Sequence, residues 1–120
     1  MKFFTRKIDW FGNNYTDHGW GNGYVIIPEG HPLNGLHYDE INDHIEVHCG
    51  LTFSKSVDDI LSLSPHDLIK HWPSVSPEDK GGWVVGFDTC HCDDTPENWP
   101  EEYVIRETLK LKTQLENYKS

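Results

Sequence analysis

The chain is poor in basic residues: it has only two arginines, Arg6 and Arg106, and Ile8 to Ser54 contains no lysine or arginine. Ten basic residues stand against twenty acidic ones, which gives a formal net charge of −10. Nucleic acids and anionic membranes attract clustered cations, so this composition argues against general binding to either. The acidic surface either keeps the chain in solution or docks on a basic protein surface, and both interpretations stay open.

Long apolar runs are also missing, and no stretch of about 18 apolar residues could span a bilayer. The start, Met1 to Lys7, is too short and too charged for the apolar part of a signal peptide. Aromatic residues make up 12% of the 120 residues, which argues against disorder. We therefore expect one folded domain over residues 1–120, soluble and located in the cytoplasm.

Cysteines are few, and the motifs of common enzymes are absent. Three cysteines make an odd number, which argues against a disulfide framework. Cys90 and Cys92 are too close in an extended segment for an unstrained bridge. The sequence has no phosphate-binding glycine loop, no nucleophile elbow and no His-Glu-x-x-His helix. We therefore expect no catalytic residue, metal or cofactor, and the interpretation leans away from an enzyme.

Alternating and β-branched residues predict four strands. The clearest alternation is in His44 to Phe53, where Ile45, Val47, Cys49, Leu51 and Phe53 fall on one face. The other three predicted strands are Met1 to Trp10, Tyr24 to Ile27 and Gly82 to Asp88, with a turn at Gly12 to Asn14. In Gly82 to Asp88, Gly86 and Asp88 lie opposite Trp83, Val85 and Phe87.

Serine caps and apolar periodicity predict the helices. Ser56, Ser64 and Ser76 each precede an acid three residues later, which favours short helices between Val57 and His71 that stop before Pro73. A longer amphipathic helix begins at Pro100, with Val104, Thr108, Leu111 and Leu115 on its apolar stripe. Pro28 to Asp43 is predicted as a loop.

These elements predict an α+β fold. One antiparallel sheet of about four strands would carry the C-terminal amphipathic helix on one face. The other face is expected to be polar and open, with a shallow pocket at Gly50 and Gly86. It would carry these residues: His44, Glu46, His48, Thr52, Gly86 and Asp88.

Three groups of polar residues could carry chemistry. His44, Glu46 and His48 follow one strand at two-residue spacing, which would suit metal ligands or a solvated face. Asp88 and His91 could form an acid–base pair or a simple turn. The loop from His31 to Asp39 combines rigid turns with recognition groups. The predicted ligand-binding residues are His31, Tyr38, Asp39, His48, Thr52, Asp88 and His91.

Several stretches together resemble a family of small phage proteins without an assigned activity. They include Gly30-His31-Pro32-Leu33, Gly50-Leu51-Thr52-Phe53 and Gly86-Phe87-Asp88-Thr89, and the similarity covers residues 23 to 115. The sequence departs at Cys49, where the family usually has glycine, and at Cys92, near a usual Gly-Asp. The resemblance implies a phage or prophage origin and little about chemistry.

Two functional hypotheses follow. The first is a phage-type accessory protein that binds a host defence factor or a small signalling molecule without catalysis, in the cytoplasm of the host cell. The alternative is a metal-dependent hydrolase that uses His44, His48, Asp88 and His91. The expected partner is a host protein or a small-molecule ligand, and homo-oligomerisation stays open.

Overall fold

The computed structural model describes residues 1–8, 18–91 and 94–119 and has an α+β architecture, as predicted. Four strands form an antiparallel sheet in the order β1-β2-β4-β3. They are β1 (Lys2–Lys7), β2 (Gly21–Ile27), β3 (Phe53–Ser56) and β4 (Trp83–Phe87). The helices are α1 (Tyr38–Ile41), α2 (Val57–Leu61), α3 (Pro65–His71) and α4 (Glu101–Asn117), with a 3₁₀ turn at Pro77–Asp79. The predicted turn at Gly12 to Asn14 lies outside the described residues.

Helix α4 packs on one face of the sheet, and its predicted apolar stripe is confirmed. The side chains of Val104, Thr108, Leu111 and Leu115 are buried. They join a core with four residues of the central strands, which are Val25, Ile27, Val85 and Phe87. Two acids, Glu101 and Glu102, occupy the first turn of α4, where the helix dipole favours negative charge. In the described part of the chain, no helix is both long enough and apolar enough to cross a bilayer.

The second face of the sheet is also covered, so the prediction of an open polar face is wrong. Phe4 and Tyr24 pack there with Val57 and Ile60 of α2. The Trp72 ring lies over this layer, with centroids 5.2 Å from Tyr24 and 5.4 Å from Phe53. A sheet with helices or loops on both faces buries two apolar layers, and here the second layer is aromatic.

The predicted strand from His44 to Phe53 is wrong, because β3 begins only at Phe53. Cys49 and Gly50 have φ values of 56° and 82°, which break an extended strand. The Gly50 N–H donates to the Val47 carbonyl at 2.8 Å and closes this turn. The alternation still predicted burial correctly for Ile45, Val47 and Leu51, whereas Phe53 joins the opposite, aromatic layer.

The short helices begin where the serine caps predicted. The Ser56 and Ser64 hydroxyls accept the N–H groups of Asp59 and Asp67 at 3.1 and 3.2 Å. Helix α3 ends at His71, before Pro73, as predicted. The predicted loop after β2 contains one element that the sequence did not reveal, the single-turn helix α1.

An ion pair between Lys2 and Asp79 fastens β1 to the 3₁₀ turn. The Lys2 Nζ atom lies 2.8 Å from Asp79 Oδ2, and the same carboxylate accepts the Ser76 N–H at 3.0 Å. Burial acts to raise the pKa of Asp79, but the hydrogen bonds from Lys2 and Ser76 outweigh it and lower the pKa below its ordinary value. The folded state is therefore stabilised by the ionised carboxylate.

We expect Asp79→Asn to lower the free energy of unfolding by about 0.5–1 kcal/mol at pH 7. Because the pKa is lowered on folding, the wild-type advantage should be lost as the pH falls below about 4. Urea unfolding of wild type and variant at pH 7 and pH 3 measures both differences. Asp39→Asn, at an exposed position, is the matched control and should change neither. An equal deficit at both pH values would contradict this role of the carboxylate.

Candidate ligand-binding site

The polar residues that the structure brings together lie at the C-terminal end of β4. The Thr52 N–H donates to the Gly86 carbonyl at 2.9 Å, which places Thr52 beside the end of the sheet. The Thr52 hydroxyl donates to Asp88 Oδ2 at 3.0 Å. Asp88 Oδ1 accepts the Cys90 N–H at 3.1 Å, so the carboxylate also holds the loop that follows β4.

His48 is held by a buried carboxylate. Its Nε2 atom lies 2.9 and 3.0 Å from the two oxygens of Asp94, whose side chain is 4% exposed. A carboxylate only accepts hydrogen bonds, so His48 Nε2 carries the proton and donates it. Asp94 also accepts the His91 N–H at 3.0 Å, and the Trp99 ring packs on His48 with centroids 4.0 Å apart.

His91 lies between Asp88 and His48. Its Nε2 atom is 3.0 Å from Asp88 Oδ1, but it is buried and makes no directional hydrogen bond to any residue that the structure describes. The ring centroids of His91 and His48 are 5.7 Å apart. We call His48, Thr52, Asp88, His91 and Asp94 the histidine corner. The sequence predicted His48 and Asp88 on the same polar face of the sheet, whereas the structure links them through His91 and two loops.

Helix α4 positions the segment that carries His48. Glu107 Oε2 accepts the His48 N–H at 2.7 Å. About two turns further on, the Gln114 side-chain amide bonds both backbone groups of Glu46, at 2.8 and 2.6 Å. These two side chains satisfy backbone groups that a neighbouring strand would otherwise satisfy. They hold the segment against α4, with Ile45 and Val47 buried beneath it.

The two described cysteines, Cys49 and Cys90, are free thiols beside this corner. Partial burial and the carboxylates of Asp94 and Asp88 raise the pKa of Cys49, and the same causes raise that of Cys90. Cys49 Sγ lies 3.9 and 3.8 Å from the two ring nitrogens of His48. A sulfur equidistant from both nitrogens lies on the in-plane lone-pair axis of neither, so His48 is not oriented to deprotonate it.

Two cavities flank the corner. An open groove of about 550 Å³ runs beside His48 and is bordered by Glu46, Glu107 and Lys110. A smaller pocket of about 210 Å³ lies on the other side of Asp88, where Thr52 and Gly86 also line it. A pocket at Gly86 was expected from the sequence. Arg6 and Asn22 also line it, whereas Gly50, which the prediction placed at the same pocket, lines the groove.

The other predicted ligand-binding residues have different surroundings. His31 accepts the Leu33 N–H at Nδ1, so its Nε2 donates to the Leu115 carbonyl at 2.8 Å and ties the loop to the end of α4. The Tyr38 ring is half-buried against the main core. Asp39 is exposed and lies 3.7 Å from the His37 ring. The structure therefore brings together four of the seven predicted residues, and these are His48, Thr52, Asp88 and His91.

The described donor side chains do not form a metal site. Among residues 1–8, 18–91 and 94–119, no group of three or more His, Cys, Asp or Glu side chains has an arrangement that could hold a metal ion. The His44 ring packs on Tyr118, just beyond the C-terminal end of α4, with centroids 5.0 Å apart. Cys92 and Asp93, which belong to the same acidic run, lie outside the described residues.

No protein-family model, curated protein or solved structure matches this chain. The resemblance to small phage proteins therefore stays a prediction. Sequence reasoning missed Asp94, Trp99 and Glu107 as parts of the corner. The spacing Asp88-x-x-His91-x-x-Asp94 was a usable signal for the first of them, because a turn after a strand can bring such side chains together. Trp99 and Glu107 are brought in only by the path of the chain into α4.

Proposed function

We propose that the protein is a small phage-type accessory protein that binds a host defence factor or a small signalling molecule, without catalysing a reaction. The observation that carries this proposal is the pair of imidazoles in the histidine corner. They come from two separate loops, each lies about 3 Å from a carboxylate, and their ring centroids are 5.7 Å apart. Polar groups that converge beside a cavity on a rigid scaffold are typical of recognition sites.

The chemistry of the corner supports binding more than catalysis. Both carboxylates are used to hold loops and imidazoles, since Asp88 accepts from Thr52 and Cys90, and Asp94 accepts from His48 and His91. The nearby thiols have raised pKa values, which disfavours the reactive thiolate. The excess of acids around the imidazoles favours a ligand rich in hydrogen-bond donors or carrying positive charge.

The ligand can be sought by heating the protein after purification from bacterial cells and identifying the released compounds by mass spectrometry. We expect one compound in stoichiometric amount, with occupancy reduced about tenfold or more in His48→Ala, because its imidazole is the more buried of the pair. His66→Ala is the matched control, since His66 is an exposed histidine on α3. Circular dichroism of both variants checks that the fold is retained.

Two results would contradict the proposal. Equal occupancy in wild type and His48→Ala would separate the bound compound from the histidine corner. A wild type that releases no compound would contradict binding of a small signalling molecule. Metal analysis with and without a chelator tests the alternative function, a metal-dependent hydrolase. One tightly bound metal per chain that survives dialysis, together with hydrolysis that the chelator abolishes, would favour the metal-dependent hydrolase.

A further inference from the structure

The smaller pocket beside the histidine corner contains a buried side chain with an unused hydrogen-bonding atom. Asn22 is 6% exposed, and its Nδ2 atom makes a long contact of 3.4 Å with the Tyr24 hydroxyl. Its Oδ1 atom is buried and has no hydrogen-bond partner among the described residues. Reversing the amide would leave Nδ2 unpartnered at the same place, so one end of the carboxamide lacks a partner in either orientation.

Stability alone does not explain a buried carboxamide with an unpartnered atom at this position. Leaving a buried polar atom without a partner costs folding free energy, and apolar residues are favoured at buried positions of a central strand. Asn22 lies in β2, between Arg6 of β1 and the end of β4. Asn22 is one of the residues that line the pocket of about 210 Å³. A ligand that fills the pocket would supply the missing partner.

Aromatic and polar residues both line this pocket. Tyr24 and Phe53 contribute rings to the lining, Arg6 contributes a cation, and Thr52 and Asp88 contribute oxygen acceptors. Burial raises the pKa of Tyr24, so its hydroxyl stays protonated at neutral pH. Rings of this kind favour a flat occupant, and a carboxamide is suited to an edge that carries a donor next to an acceptor.

The volume limits the size of the occupant. Pockets for drug-sized ligands occupy about 300 Å³ or more. A pocket of about 210 Å³ is smaller and suits a single ring system, with any attached sugar or chain outside it. Because Asp88 belongs both to this pocket and to the histidine corner, one ligand could contact both sites.

We propose that the pocket lined by Asn22, Tyr24, Phe53 and Asp88 binds a single planar nitrogen heterocycle of the nucleobase class, and that Asn22 reads its hydrogen-bonding edge. This inference rests on the proposed function and names the chemistry of the ligand. The remainder of the ligand would extend past Asp88 toward His91 and His48.

Titration of the protein with adenosine, guanosine, cytidine and uridine, followed by calorimetry, tests the inference. At least one nucleoside should bind, and Asn22→Val should weaken that binding about tenfold or more. The same variant should keep or raise the melting temperature, since it replaces an unsatisfied amide with a β-branched strand residue. Thr5→Val, in the neighbouring strand on the opposite face of the sheet, is the matched control and should leave affinity unchanged.

Each outcome of these experiments either supports or overturns the inference. Tight nucleoside binding that Asn22→Val leaves unchanged would overturn the role of Asn22. Failure of all four nucleosides would overturn the nucleobase assignment, while a His48-dependent compound of other chemistry in the heat-release experiment would leave the proposed function standing. A gain in stability together with lost binding supports the inference, because a purely structural role for Asn22 predicts a loss of stability.

Discussion

Leu51→Ala is expected to lower the free energy of unfolding by about 2–5 kcal/mol. Leu51 is 2% exposed and packs in the core that α4 forms with the sheet. Its backbone is fixed on both sides, since its N–H donates to Asn42 Oδ1 at 2.7 Å and its carbonyl accepts from Asn42 Nδ2 at 3.1 Å. The surroundings therefore cannot easily collapse into the cavity that the substitution creates. Urea unfolding monitored by tryptophan fluorescence gives the difference.

Leu109→Ala is the matched control for this substitution. Leu109 lies on α4 and is 40% exposed, so its truncation should change stability by about 0.5 kcal/mol or less. Similar losses for Leu51 and Leu109 would show that the segment between α1 and β3 does not pack on α4 as described.

Gly23→Ala is expected to destabilise the protein by about 1–3 kcal/mol, although it adds only one methyl group. A Cβ atom at Gly23 would collide with Thr108 Oγ1 of α4 and would lie 2.5 Å from a ring carbon of Phe87. Thr108 is fully buried, and its hydroxyl donates to the Val104 carbonyl at 2.7 Å. The absent side chain is what lets α4 approach the middle of β2.

A double-mutant cycle separates this contact from a general effect of alanine in the strand. Thr108→Ala removes the nearest atoms, so Gly23→Ala should cost less in the Thr108→Ala background than in the wild type. Partial rescue is the expected result, because Phe87 still lies close to the added methyl group. Strict additivity of the two losses would show that the helix does not pack against Gly23.

Patterns among neighbouring residues predicted the elements that interactions between neighbours determine. The serine caps at Ser56 and Ser64 and the stripe from Val104 to Leu115 were predicted correctly. A cap satisfies N–H groups of its own helix, and a helix with one apolar stripe buries that stripe whatever covers it. Strand β4 was recognised for a similar reason, since Val85 and Phe87 alternate with Gly86 in an otherwise apolar run.

The segment from His44 to Leu51 shows that alternation predicts burial but not the partners of the backbone. Alternation determines which side chains point inward in any extended segment, so the burial of Ile45, Val47 and Leu51 could be predicted. It does not determine which groups satisfy the backbone. Glu107 and Gln114, more than fifty residues away in sequence, take the place of a partner strand here. That choice depends on the path of α4.

By itself, the sequence determined the α+β class, the extent of the apolar stripe on α4, the starts of α2, α3 and α4, and the acidic character of the surface. Only the tertiary structure decided that both faces of the sheet are covered, and that His48 meets Asp94 while His31 serves the end of α4. Propensity, capping and periodicity act between neighbours in the chain, and so they can be recognised in a single sequence. The partner of an imidazole or a carboxylate is selected by which distant segments the packed cores bring together, and no local pattern encodes that selection.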